Sequence, residues 1–555
     1  MARTTEPRWW REFSPVATVA ALVCALGYVV LVLHYAVDAP QADEWGSVLP
    51  LVLVAAHHHL SVRDLWVQHY NEGRLVLANV AFVVVGRWDH FNVRTLIGLS
   101  AVVHCVAFGA LLVLFRRYSG RRVGLVPVVT LAIVWFALSN TNNALWGYQI
   151  QLYLTLLCLL LTLLALDLAT RRTGLAATLA WIGAFVGALA TSYSTVQGLL
   201  VWVVGALVIA WTMGAAARWC ALGGWVAAAA VTGITYRAGY VSQLGYSGCL
   251  GTRRSTCATS YALHHATQLP GYFVALLGNA APSDETGALL HTIRDVGLHQ
   301  VLGCVLLAVA LVVVVDALRH RAARANGWIS PALILFGMGW DALIAVGRVS
   351  GGPRLALQSH FGTPQLLVVA GIAFWLLRAL TDREPGGARD AGATRAAWTL
   401  RSVAAGSMLA VIVVSIVALS ATLGLRDARF YADIQRDEAR LLANYDRLPP
   451  ATKPCDVSVL VDLGFVSGTT AELTLRPQIE ALEIDHLATF APRVYAHYRA
   501  LGPPDVPICD RRAVLREAVR GTVSVARRPW CTEAQCDTRS LGRWDGTAVC
   551  TCPSQ

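Results

Sequence analysis

The chain has 555 residues, of which 56% are hydrophobic and only 14% charged. A soluble globular chain carries about 25% charged residues, so the composition excludes an ordinary soluble enzyme and predicts a mainly α, polytopic membrane protein. The formal net charge of +11 does not indicate a nucleic-acid partner, because Lys453 is the lone lysine and most arginines stand in short loops between apolar stretches, where they read as topology signals.

Apolar stretches of spanning length, roughly 17–25 residues, fall at 16–36, 93–115, 123–139, 150–169, 175–192, 196–213, 219–236, 297–317, 329–347, 362–379 and 400–423. With Arg3, Arg8 and Arg11 in the cytoplasm, the clusters at Arg116–Arg122, Arg171–Arg172, Arg218, Arg319–Arg324 and 378–401 also fall inside. That agreement supports about eleven transmembrane helices and places the first loop, 37–92, and everything after 424 outside. Val37-Asp38-Ala39 resembles a signal-peptide cleavage site. The apolar core before it exceeds the usual 7–15 residues or so, and a retained helix is the expectation.

The first external loop opens on Asp43 and Glu44, a carboxylate pair at a membrane edge, where ionised groups are costly and tend to mark functional sites. His57-His58-His59, Asp64, Trp66, His69, Glu72 and Arg74 follow. Adjacent histidines on a helix point in different directions, so the triplet reads as a solvated turn, not a metal site. Leu65, His69 and Glu72 share one helical face, predicting an amphipathic helix on the membrane with Arg74 near its end. The apolar runs 75–86 and 268–279 are too short to span and should lie along the interface.

Further polar residues collect at the same outer level. Asn140 to Tyr153 opens the fourth span, with Trp146, Gln149 and Tyr153 at helical spacing on one face. Thr191 to Gln197 joins the fifth and sixth spans, and Arg348, Arg354 and His360 follow the ninth. An aromatic belt accounts for the Trp and Tyr residues; amides and outer arginines indicate a polar cavity open to the outside. Asp341 lies within the ninth span, and Arg348, seven residues on, is its expected partner.

Five of the thirteen cysteines (Cys24, Cys105, Cys158, Cys220, Cys304) fall in or at membrane segments. The other eight are external, an even number that reads as disulfides. Cys249 and Cys257 form the expected local bridge. The connectivity among Cys455, Cys509, Cys531, Cys536, Cys550 and Cys552 is open. The chain therefore divides into a membrane domain, 1–424, and a small disulfide-bonded α+β extracytoplasmic domain, 425–555. Within the latter Arg426–Leu448 is a helical stalk, Asp456–Asp462 a strand, and Pro477–Leu487 a helix with its proline in the first turn.

The arrangement resembles the GT-C superfamily of integral-membrane glycosyltransferases, and within it a bacterial branch of polytopic membrane proteins. The resemblance rests on Ala42-Asp43-Glu44-Trp45 with Leu49-Pro50-Leu51, and on the run from Leu65 through Glu72 and Arg74 to Leu75. It continues in Leu145–Gln151, Ser194–Trp202, and Gly347-Arg348 followed by Ser359-His360-Phe361, across residues 15–380. Two departures stand out: His360 occupies a position that is commonly arginine, and Gly73 one that often carries a basic or amide residue.

The resemblance implies transfer of a sugar, with inversion, from a polyprenyl-phosphate donor to a cell-envelope glycan, lipid or protein acceptor at the outer face of the bacterial plasma (inner) membrane. Asp43 would be the general base; Glu44 would orient the acceptor or, with Asp43, hold a divalent cation such as Mg²⁺ or Mn²⁺. Arg348, with Arg354 or His360, would bind the donor phosphate. His69, Glu72, Arg74, Trp146, Gln149 and Asp341 are the expected substrate-binding residues. The rival readings are a flippase for lipid-linked saccharides, which would often show internal repeats and broken midplane helices, and a non-catalytic scaffold that displays its tail.

Overall fold

The computed structural model describes residues 13–69, 73–239, 257–281, 296–321, 326–353, 355–381, 391–448 and 468–503. Ten helices among them are long and apolar enough to cross a membrane, from Pro15–Tyr35 to the 42-residue Ser402–Ala443. They coincide with all but one of the stretches expected to span. The exception is Val196–Thr212, which opens as a 3₁₀ turn of four residues before its thirteen-residue α-helix. At about 2.0 and 1.5 Å of rise per residue these cover roughly 27 Å, slightly less than the ~30 Å hydrocarbon core. The segment nonetheless runs the length of the bundle. Its first turn follows the Tyr193 region, while Ala210 near its far end accepts a hydrogen bond from Arg321 at 2.6 Å.

The arginine clusters share one end of the bundle. Arg122 donates to the Phe13 carbonyl at 3.2 Å, and Arg378 to that of Tyr118 at 3.1 Å. Asn326 donates to the Arg117 carbonyl and accepts from Arg171, which also pairs with the buried Asp167 at 2.7 Å. These contacts gather loops that are far apart in sequence, as a common membrane face requires.

Burial sorts the helices into rim and centre. The hydrophobic window of Pro15–Tyr35 is 17% buried, and Val16, Val19, Leu22, Val23, Leu26 and Val30 face outward. That of Thr363–Thr381 is 83% buried, so this helix is central. Cys24, Cys105, Cys158, Cys220 and Cys304 are free thiols on the spanning helices.

A second apolar cluster caps the end opposite the arginines. Trp45, Leu49 and Phe82 of the first loop pack there with Tyr148, Leu442, Leu475, Leu482 and Phe490. The described part of 425–555 thus shares a core with the first loop. Position 424 lies inside one long helix, at a π-turn, Ser420–Gly424, where Gly424 passes close to Leu138. The expected stalk is the helix Leu425–Ala443. The helix expected from Pro477 instead runs Gly468–Ile484, with the proline inside it. Packing of Leu475, Ile479 and Leu482 against the first loop offsets the hydrogen bond lost at Pro477. The strand expected at 456–462, Cys249 and the six tail cysteines lie outside the described residues.

Candidate functional site

The first loop is tied down as soon as the chain leaves the first span. Asp38 accepts from the amide of Val93 at 2.7 Å, placing its carboxyl at the first turn of Val93–Ser119, where the helix dipole favours negative charge. Burial pushes the Asp38 carboxyl up to about 7, against that amide hydrogen bond. Ala42 then turns the chain with φ 41°, and the indole of Trp45 donates back to the Pro40 carbonyl at 3.0 Å.

Glu44, fully buried, is the keystone of this turn. Its two oxygens accept from separate amides, Oε1 from Tyr148 and Oε2 from Gln41, each at 2.8 Å. Burial pushes this carboxyl up to about 8; the two amides oppose the shift, and the charges of Asp38 and Asp43 add to it. Gly147 explains how the carboxyl reaches the Tyr148 amide: a Cβ there would lie 2.9 Å from Glu44 Oε1. Asp43, at the head of the turn, is half-buried. The pair is therefore divided, one carboxyl locked into the fold and the other at its surface.

The segment that receives Glu44 also reaches the loop after the ninth span. From the turn Thr141–Ala144, Asn143 donates to the His360 carbonyl at 3.0 Å and to Thr363 Oγ1 at 2.8 Å. Arg348, half-buried, ends the helix Ile329–Arg348, where a cation suits the dipole. Burial and the neighbouring Arg348 guanidinium hold the His360 imidazole down at about 3. His360 is thus neutral at neutral pH and brings a hydrogen-bonding group, not a second positive charge. Asp43, Glu44, Arg348 and His360 accordingly sit at one end of the bundle, joined through residues 141–149.

Several expected residues have other surroundings. The described residues around His69 do not form the amphipathic helix expected from the spacing of Leu65, His69 and Glu72. A four-residue helix, Val62–Leu65, is followed by a two-stranded hairpin pairing Gln68 with Arg74 and His69 with Gly73. Gly73 has φ +92°, a conformation glycine favours, and it lies against the Tyr236 hydroxyl. Arg74 is buried and donates to the carbonyls of Tyr236 at 2.7 Å, Trp66 at 2.5 Å and Ala238, fastening the loop to the end of the Ala215–Arg237 helix. Glu72 and Arg354 lie outside the described residues.

Trp146 is half-buried against Tyr148, with ring centroids 5.7 Å apart, and its backbone is extended, not helical. The helix begins only at Ile150, because Gly147–Gln149 is shaped around Glu44. Gln149 is buried and accepts from Gln151 at 3.5 Å. Asp341 does not pair with Arg348. Seven residues are about 10 Å of helix, and Asp341 instead accepts from Gln365 on the next span at 2.8 Å.

His57 Nε2 donates at 2.7 Å to Asp485 of the C-terminal region. Among the described residues no group of three or more His, Cys, Asp or Glu could hold a metal ion. Each Glu44 oxygen accepts one amide hydrogen, which fixes the orientation of the carboxyl in this turn. Sequence reasoning passed over Asp38 and Gln365. The signal for Asp38 was an acid in reach of a helix start; for Gln365 there was none without the fold.

No protein-family model matches the sequence, and no curated protein matches it. Among solved structures the chain is similar to the archaeal oligosaccharyltransferase AglB from Archaeoglobus fulgidus, in complex with an inhibitory peptide and a dolichol-phosphate. The identity is 12%, the match covers 80% of this chain and 60% of that one, and the TM-score is 0.42. A likeness at that level decides nothing about this chain's chemistry.

Proposed function

We propose that this protein is a membrane glycosyltransferase that moves a sugar from a polyprenyl-phosphate donor to a cell-envelope acceptor at the extracytoplasmic face. One observation carries the reading: a half-buried acid, Asp43, and a half-buried cation, Arg348, stand at the same end of the bundle, opposite the arginine-rich loops, on elements joined by Asn143 and Glu44. An acid and a guanidinium at the membrane edge supply the two groups that glycosyl transfer from a lipid phosphate needs.

In this reading Asp43 takes the proton of the acceptor hydroxyl as its oxygen attacks the anomeric carbon. The bond from that carbon to the phosphate oxygen breaks, and the negative charge collects on the departing lipid phosphate. Arg348 meets that charge with its planar set of donors. Because the charge grows in the transition state, the contact accelerates the reaction beyond simply holding the donor. Neutral His360 contributes a hydrogen bond at most.

The test is sugar transfer by the purified full-length protein from a panel of polyprenyl-phosphate sugars. Asp43→Asn should lower kcat by about 10²–10⁴-fold, the usual contribution of a placed base, and leave the folded state intact. Unchanged transfer by that variant would remove Asp43 from the role.

A further inference from the structure

Asp341 and Gln365 join the two stems of the loop that carries Arg348 and His360. Asp341 precedes Arg348 by seven positions in Ile329–Arg348, and Gln365 follows His360 by five in Thr363–Thr381. The two helices approach closely because small residues line their crossing. A Cβ on Gly337 would lie 2.7 Å from the Pro364 carbonyl, and one on Gly371 would lie 3.0 Å from that of Ser330. Ser330 Oγ donates to the Gly371 carbonyl at 2.7 Å. At that separation a short aspartate reaches the facing glutamine.

Their hydrogen bonds do not balance for a carboxylate. Gln365 Nε2 spends both hydrogens, on Asp341 Oδ1 and on the Leu276 carbonyl, each at 2.8 Å. Asp341 Oδ2 and Gln365 Oε1 are both buried acceptors with no donor. The residues themselves are 0% and 1% exposed. Leaving two acceptors unpaired beside a bare charge in an apolar bundle is the costly arrangement. A planar acid and a planar amide already joined by one N–H···O contact close a ring when the second pair of oxygens shares a proton. A hard metal cation is a poorer fit, since it takes about six or more oxygens and this pair offers two.

We propose that Asp341 and Gln365 share a single proton between Oδ2 and Oε1, and that this neutral acid–amide pair is a positioning element fixing the base of the Arg348–His360 loop. Asn279 supports the same loop by donating to the Gln358 carbonyl at 2.9 Å. Neutrality matters for the site: a carboxylate two turns below Arg348 would offset the positive charge available to an anionic ligand. The shared proton stands on this geometry alone, whereas the positioning role rests on the reading of the loop as phosphate-binding.

Full-length wild type, Asp341→Asn, Asp341→Leu and Gln365→Leu are compared by thermal unfolding, infrared spectroscopy and transfer kinetics. Beyond the bands of Glu44 and Asp38, which both proteins share, wild type should show a protonated-carboxyl C=O band that is sensitive to deuterium and is lost in Asp341→Asn. Asp341→Asn should melt like wild type and lose far less transfer than Asp341→Leu, because an amide–amide pair closes the same ring. Both leucine variants should melt lower and lose roughly 10²-fold in kcat/KM, the scale of a small misplacement. If Asp341→Asn is as damaging as Asp341→Leu, or the band is missing from wild type, the proposal fails. A stability that rises with added Na⁺ or Mg²⁺ in wild type alone would overturn it in favour of a cation. Should no donor support transfer by wild type, the glycosyltransferase reading falls while the band and the melting pattern still decide the pair.

Discussion

Asn143 donates to the carbonyl of His360 across 3.0 Å, bridging the fourth-span entrance and the loop after the ninth span. Five residues further along the same stretch, Tyr148 gives its amide to Glu44. One short segment therefore ties the acidic turn to the basic loop, and disturbing either contact should be felt at the other side.

Glu44→Gln is expected to lower stability and flatten its dependence on pH. The folded carboxyl is raised from 4.5 to about 8, so the folded state holds this proton more tightly than the unfolded chain. Its stabilising contribution is full below about pH 4.5 and is lost as the pH rises through about 8. Asp38, raised to about 7, acts in the same direction. Wild type in detergent should melt lower at pH 8.5 than at pH 5, and the difference should shrink in Glu44→Gln. An equal pH dependence in both proteins would show that Glu44 is not the group responsible.

Arg74→Ala should release the first loop from the Ala215–Arg237 helix. It removes three side-chain hydrogen bonds to carbonyls, and a bond to a charged group contributes roughly 1.5–3 kcal/mol. Faster amide exchange across 60–75, with the rest of the bundle unchanged, is the expected signature. Arg74→Lys should rescue little, since one ammonium cannot reach three carbonyls set around a planar fork.

Arg348→Ala should cost transfer in kcat/KM, and Arg348→Lys should recover part of it, because charge survives and fork geometry does not. His360→Ala should be the milder change, as the imidazole is neutral. A larger loss from His360→Ala than from Arg348→Ala would reverse the assignment of the phosphate contact.

The spans were legible because an apolar run of sufficient length has few other fates. What stayed hidden were partnerships made across the chain. Glu44 stands beside Asp43 in sequence, and the Tyr148 amide that holds it lies 104 positions away. Asp341 was matched with Arg348 on its own helix, although its partner lies on the next one. The pairing of Gln68 and His69 with Arg74 and Gly73 is hidden by the spacing of Leu65, His69 and Glu72, which suits a helix, and the positive φ of Gly73 does not show in that spacing. The shortened Val196–Thr212 still read as a span because its 3₁₀ start preserves apolarity while changing rise.

Thr489 donates to the Asp38 carbonyl across 451 positions, and Asp485 meets His57 across 428. The cap over the first loop is thus closed by residues synthesised long after that loop emerges, a closure that grows slower with separation. Every intervening helix must be inserted before Leu475, Leu482 and Phe490 arrive to complete the packing around Trp45 and Leu49. The setting of the Asp43 turn is therefore finished only once the region around Leu475–Phe490 has arrived, and a nascent chain without it carries the acid in incomplete packing.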